Sequence, residues 1–326
     1  MRIPGFIDLQ VNGCLGIEYF SENLTEESFV ESCKALKARG TIAFLPTIIT
    51  TSKELYKRNL TVMLSTIEKY REVREMVLGF HLEGPFLSPA DGARGAHPKK
   101  YIIEPDIEFL TQLIDWSKRS IKILTIAAEQ PGAKEICEFA RKRGIVVSLG
   151  HQLATYPQIM ELHKSGATGL THLGNANPHL VDRHKNALIS GLAAKELTAM
   201  MITDGHHIPE ELIRLILITR DIEKTIVVSD ASPLACLPPG DYSTMGKMVR
   251  INNSGRLYDV EEGYLVGSSY TMLECMNYLA SLHYLSISEL EQVGFYNPLK
   301  FIGLNKSRIH GVANLDFHND TFTLVD

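Results

Sequence analysis

Ile145-Val-Val-Ser-Leu-Gly-His-Gln-Leu-Ala-Thr-Tyr-Pro-Gln-Ile-Met-Glu-Leu-His-Lys-Ser-Gly-Ala-Thr-Gly-Leu-Thr-His172 is the stretch on which the fold turns. Ile145–Leu149 is rich in β-branched residues and reads as a strand. Thr155–Ser165 reads as a helix, and Thr168–Thr171 as a second short strand. Two strands joined through a helix make a parallel βαβ unit. Each strand delivers a histidine, His151 or His172, just past its C-terminal end.

The same rhythm extends in both directions. Further apolar runs occupy Phe6–Gln10, Thr41–Thr47, Val77–Glu83, Ile121–Glu129, Leu197–Asp204 and Thr225–Asp230. Helical spacing is expected over Thr25–Ala38, Ser52–Glu72, Ile107–Lys118 and Gly132–Arg143, with Thr25 as an N-cap and Gly40 past the end of the first. Eight strand–helix units predict an α/β fold, a closed (β/α)8 TIM-like barrel. Such a barrel takes about 250 residues, and the chain has 326. One barrel over 1–304 is therefore expected, with decoration. The Pro/Gly-rich segment 232–266 interrupts the rhythm, with a hairpin around Asn253-Ser254-Gly255. Met272–Leu282 and Ile287–Val293 read as terminal helices. Residues 305–326, in which Ala313–Asp326 alternates as a strand pair, are expected to pack on the barrel as a β remnant.

Composition narrows the function. A net charge of -5 argues against a nucleic-acid partner. The five cysteines (14, 33, 137, 236, 275) form no CxxC pair and read as reduced thiols. The start, MRIPGFIDLQ, has no long apolar signal region, and no run approaches about 18 apolar residues. The expected compartment is the cytoplasm, without membrane association.

In barrels of this kind chemistry sits where strands end. Those ends offer Glu83, His151, His172 and Asp230. Adjacent strands lie about 4.8 Å apart, so His151 and His172 can share one ion, and Glu83 can complete the set from across the mouth. Two histidines and a glutamate with an open position form the ligand set of a catalytic zinc site. The alternative for each histidine is a hydrogen-bonded structural role. Asp230, ending Val227-Val228-Ser229-Asp230, suits a general base or a cap for the following turn. His97 and His207, in or beside the loops after the third and seventh strands, can polarise a carbonyl or bind a hydroxyl, or can lie at the surface. Arg183, His184 and Lys185 form a basic cluster suited to a phosphate or to solvent. Asp8, Gln10 and Asn12 alternate along the first strand. The last two are poor ligands for a second divalent metal, so one metal is expected.

Several motifs occur in order: PGFIDLQVNG, HLEGPF, GAH, the GH of SLGH, THLxNA, DGHH, SDA, and GSS before a helix. From Pro4 to about Leu304 the chain resembles the N-acetylglucosamine-6-phosphate deacetylases of the amidohydrolase superfamily. The resemblance implies a barrel of the metal-dependent hydrolase type. It implies one divalent ion, zinc first and Fe2+, Co2+ or Mn2+ next, held by Glu83, His151 and His172. Asp230 would be the general base and acid, and His97 would hold the acetamido carbonyl. His207, Asn175 and Ala176 would line the sugar site, and backbone around Ala96 and Leu265, Val266 and Gly267 would close it. Arg183 would reach the 6-phosphate in the neighbouring subunit of a homodimer. The implied reaction is hydrolysis of N-acetyl-D-glucosamine 6-phosphate to D-glucosamine 6-phosphate and acetate, in amino-sugar catabolism.

The departures lie on the sugar and phosphate side. The family's NAM is Asn175-Ala176-Asn177, its EPG turn is His184-Lys185-Asn186, and DGHH carries an extra histidine, His206. These leave room for a galactosamine-type or unphosphorylated N-acyl sugar. A barrel that binds a sugar phosphate without catalysis is the remaining alternative. The family's small β-sandwich is expected to be reduced or absent, since the chain opens directly on the first strand.

Overall fold

The computed structural model describes residues 2–244 and 247–325. Eight parallel strands run in consecutive order around a barrel. They are β1 Phe6–Val11, β2 Thr41–Ile49, β3 Phe80–Glu83, β4 Ile121–Ile126, β5 Val146–Leu149, β6 Gly169–Leu170, β7 Thr198–Met201 and β8 Thr225–Val227. The observed strands are mostly shorter than the apolar runs. The ends of those runs leave the ladder and become the loops of the mouth, so His151, His172, Asp204 and Asp230 sit just beyond hydrogen-bonded backbone.

β1 and β8 close the barrel with a single bridge, Val11 to Ala231, reinforced by Asn12 N–H donating to Ala231 O at 2.8 Å. Below it the Asp8 carboxylate stands in for the missing ladder. It accepts from Ser229 N at 3.2 Å and from Ser229 Oγ at 2.5 Å. This corrects one expectation. Asp8 does not share a face with Gln10 and Asn12, because the β1–β2 register shifts between Asp8 and Val11. Ile7 and Leu9 face the barrel interior with Met200, Ile202, Ile226 and Val228, and Phe295, Leu299 and Ile302 join that cluster from the C-terminal helices. The shift then turns Gln10 and Asn12 to the mouth. At the same place Pro46 has no N–H to give, and the Thr47 hydroxyl accepts from Val11 N at 3.1 Å.

The helices form an outer layer, and their starts follow local chemistry. Thr25 and Ser28 make a reciprocal capping box for Glu26–Lys37, Ser52 caps Lys53–Lys69, Asp106 caps Ile107–Trp116, and Thr155 with Gln158 caps Tyr156–Ser165. The single helix expected over Ser52–Glu72 is two, Lys53–Lys69 and Arg71–Met76, separated at Tyr70, whose backbone is extended (φ -109°, ψ 117°). Ala187–Ala193 and Glu210–Thr219 are further helices, in stretches for which the sequence analysis names no element. No helix among the described residues is long and apolar enough to cross a membrane.

Two three-stranded sheets decorate the barrel, beside a two-stranded ribbon of Gly13–Cys14 and Ile17–Glu18. Gly240–Thr244, Lys247–Ile251 and Leu257–Asp259 pair antiparallel over their own apolar cluster of Leu234, Val249, Ile251, Leu257 and Val266. Arg2–Ile3, Leu315–His318 and Thr321–Leu324 form the other. It is pinned to the barrel by Phe322, whose ring meets Phe6 edge-on at 5.2 Å.

Candidate active site

The C-terminal mouth of the barrel opens into a cavity of about 780 Å³. Glu83, His97, His151, His172, His207 and Asp230 all line it, as do Ala96, Asn175, Ala176 and Leu265–Gly267. Glu83 ends β3 and is buried. Its Oε1 lies 3.2 Å from His151 Nε2 and 2.9 Å from His172 Nε2, and the two nitrogens are 3.0 Å apart. Around an ion with bonds of about 2.0–2.1 Å, tetrahedral ligands stand roughly 3.3 Å from one another. The three atoms therefore have the spacing of one face of such a site.

The tautomers strengthen this fit. His151 Nδ1 donates to Ala93 O at 2.9 Å, because a carbonyl can only accept. A neutral His151 therefore turns a bare Nε2 toward the Glu83 carboxylate. His172 Nε2 can donate a single proton, which leaves lone pairs facing each other in a buried site. Such an arrangement calls for a cation at its centre, and the donor set suits a divalent metal. The Glu83 carboxyl sits well below its usual range. Burial pushes it up, and the two imidazoles outweigh that push.

His97 also belongs to the group of side chains with metal-binding spacing, together with Glu83 and His151. Its hydrogen bonds assign it another part. Thr50 N–H donates to His97 Nδ1 at 3.2 Å, so the neutral ring carries its proton on Nε2. That nitrogen is 3.7 Å from Glu83 Oε2 and presents a donor to the cavity. Burial, helped by His151, holds the ring neutral, well below the usual histidine range.

Asp230 stands on the far side of Glu83, and β1 holds the two carboxylates together. Gln10 Nε2 donates to Glu83 Oε1 at 2.9 Å and to Asp230 Oδ1 at 3.0 Å, and Asn12 Nδ2 donates to Asp230 Oδ1 at 2.7 Å. Burial and then the neighbouring Glu83 charge push the Asp230 carboxyl up to about 6. A base of that strength can take a proton from water at neutral pH and return it.

The backbone at these strand ends is unusual. His151, His172 and Asp230 have φ of 51°, 31° and 49°, in the left-handed region that non-glycine residues rarely occupy. Each turns its side chain over the mouth just as its strand ends. Gly95 permits the packing behind His151: a Cβ there would sit 3.1 Å from the ring.

The lining around His207 is built differently. His207 Nδ1 is 2.7 Å from Asp204 Oδ2, and Asp204 also accepts from Ser268 Oγ at 2.9 Å and from the backbone N–H of His206 and His207. Asp204 was not singled out from the sequence, although it ends a run as Glu83 and Asp230 do. Gln10, Asn12 and Thr50 were likewise not assigned their parts. Asn175 Nδ2 is folded back onto His172 O at 3.1 Å, and Ala176 has φ 54°. Arg183 is exposed and does not line the cavity within its own chain.

A profile of the amidohydrolase family matches residues 1–310. The N-acetylglucosamine-6-phosphate deacetylase of Haemophilus influenzae is 32% identical over 308 residues, covering 92% of this chain and 77% of its own length. The human N-acetylglucosamine-6-phosphate deacetylase is 30% identical over 338 residues, covering 99% and 79%. Among solved structures, the N-acetylglucosamine-6-phosphate deacetylase of Pasteurella multocida superposes with a TM-score of 0.85 at 30% identity, covering 99% of this chain and 85% of that one.

Proposed function

From the premise that the chain belongs to the amidohydrolase family, we propose that it hydrolyses the acetamido group of N-acetyl-D-glucosamine 6-phosphate, giving D-glucosamine 6-phosphate and acetate. One observation carries the reading. Glu83, His151 and His172 gather on a single point, and Gln10 bridges Glu83 to a second, separately held carboxylate. A metal-assisted hydrolase needs this pairing of ligand set and base.

Glu83, His151 and His172 would hold one divalent ion, zinc by donor type. Bound there, it would supply Lewis acidity and bring the pKa of water toward about 7. The rest falls to the chain's own groups. His97 Nε2–H donates to the acetamido oxygen, so that charge developing there in the transition state is met by a fixed dipole. Asp230 takes the proton from the attacking water. It then delivers that proton to the sugar nitrogen, because an unprotonated amide nitrogen is a poor leaving group. Gln10 and Asn12 hold Asp230 in position for both steps. His207, fixed by Asp204, contacts the sugar. Asn175, Ala176 and the backbone at Ala96 and Leu265–Gly267 enclose it.

Arg183 is assigned to the phosphate of a neighbouring subunit in a homodimer. Its own stretch of chain supports this: Leu180 is 93% exposed, with Val181 and Ile189 also open, as apolar side chains at an interface between copies would be in a lone chain. The five free thiols suit a reducing cytoplasm.

The test is acetate release from N-acetylglucosamine 6-phosphate by the purified protein, with metal quantified in the same sample. Turnover with about one divalent ion per chain is expected. Zinc-loaded protein that releases no acetate would overturn the reading.

A further inference from the structure

Four charged side chains on the loop walls of the cavity take no part in the steps above: Asp91, Arg94, Arg256 and Glu262. Three are compensated locally. Arg94 Nε lies 3.0 Å from Asp91 Oδ1, and Glu262 Oε2 lies 3.7 Å from Lys247 Nζ. Arg256 has no carboxylate partner among the described residues. Its Nη2 donates to Gly263 O at 3.1 Å, and its guanidinium carbon is 5.0 Å from the centroid of the Tyr258 ring. These two contacts orient the group and leave most of its five donors free.

The turn that carries Arg256 is tied down at several points. His206 Nε2 donates to Ser254 O at 2.8 Å, and the Tyr270 hydroxyl donates to the same oxygen at 2.7 Å. Ser269 Oγ donates to Gly255 O at 2.5 Å, and Asn252 Oδ1 accepts from the backbone N–H of Arg256 at 2.9 Å. His206 is the extra histidine of DGHH, and its neighbour His207 faces the sugar. One loop therefore fixes both the sugar-facing ring and the turn bearing an uncompensated cation.

We propose that Arg256 is a specificity-determining residue that binds the phosphate monoester of the substrate from within the same chain. Its planar fork matches phosphate oxygens, and no carboxylate competes for it. His206 acts as a positioning residue by pinning the turn at Ser254. This proposal rests on the reading of the site as an amino-sugar 6-phosphate deacetylase, and its test is separable from the test of that reading.

Binding of glucosamine 6-phosphate and of glucosamine is compared by calorimetry on the metal-loaded protein and on Arg256→Gln, which keeps a donor for Gly263 O but loses the charge. The expected result is a drop of about tenfold or more in affinity for the phosphorylated sugar, with the preference for phosphorylated over plain sugar shrinking by the same factor. Arg256→Lys should recover part of it, and His206→Ala should move the preference in the same direction by less. In turnover, Arg256→Gln should raise KM for the phosphorylated substrate with little change in kcat. An unchanged preference in Arg256→Gln, or equal losses on both sugars, would overturn the assignment. Because binding is measured apart from hydrolysis, failure of the deacetylase reading would show in the wild-type acetate assay instead.

Discussion

The two walls of the cavity are made in different ways. On the barrel wall, Glu83, His151 and His172 are buried and Asp230 is half-buried; all four sit at or just past strand ends and are each held by named partners from other strands or loops. The other wall comes largely from the long loops 174–185 and 252–267, where Arg256 is exposed and the side chains of Asn177 and Arg256 bond within their own loops. On the proposed reading the barrel wall, set by the sheet, carries the reaction, and the loop wall, which can change residue by residue without disturbing the sheet, carries the choice of sugar. The departures from the family pattern that the sequence resemblance implies at Asn177 and His184–Asn186 fall on the loop wall, and none falls on Glu83, His151, His172 or Asp230.

Perturbing the barrel wall should have the largest effects. Removing the ion with a chelator should abolish acetate release, and adding zinc should restore it; Glu83→Gln should lose both metal and turnover. Asp230→Asn should keep the metal while kcat falls by about 10²–10⁴; a variant that loses its metal as well would show that Asp230 is a ligand and not the base.

Loop-wall changes should be smaller and should fall on KM. Asp204→Asn frees His207 and should raise KM about tenfold with less effect on kcat. Arg183→Ala should raise KM chiefly for the phosphorylated sugar. If the arginine crosses between subunits, mixing Arg183→Ala with the inactive Asp230→Asn protein should restore low-KM turnover in the hybrid dimers. No recovery on mixing would place Arg183 at its own chain's site or at none.

The smallest effect concerns the base of the barrel wall. Burial pushes the Asp8 carboxyl up to about 7, above the ordinary value near 4. The folded protein then keeps a proton that the unfolded chain releases between those values. This stabilisation is complete below about pH 4 and is lost as pH rises through 7. The Tm should therefore fall between pH 5 and pH 8, and Asp8→Asn should flatten that decline. An unaltered slope in the variant would assign the pH dependence to other groups.

The sequence showed the barrel wall because two regularities coincide there. Parallel strands buried on both faces read as apolar runs, and the polar residues ending those runs are of ligand or acid–base type. The β1 register shift could not be read, since strict alternation through Asp8, Gln10 and Asn12 is what an unbroken strand would show. The bonds from Gln10 to Glu83 and Asp230 span 73 and 220 residues, and no local pattern encodes them. Thr50 was hidden for the same reason, since its partner His97 lies 47 residues away. Asp204 is legible in principle, since it ends its run as Glu83 and Asp230 do, but the histidines of its motif are the more conspicuous candidates. The helix Glu210–Thr219 was obscured by its own composition. Leu215 and Ile218 are open to solvent while Ile213 and Ile216 are buried, so apolar residues on both faces blur the 3.6-residue period.

The seam between β1 and β8 also dictates an order of events. The cluster of Glu83, His151 and His172 draws on the consecutive run β3–β6 and spans 89 residues at most, so stepwise βαβ pairing can gather it early. Asp230 gains its amide partners, Gln10 and Asn12, only when the last strand docks against the first across some 220 residues. Contacts between such distant parts of a chain form late, because the intervening loop must first be closed. On the proposed reading a nascent chain can thus assemble the half of its centre assigned to the cation well before the half assigned to the base, and competence for hydrolysis arrives with ring closure.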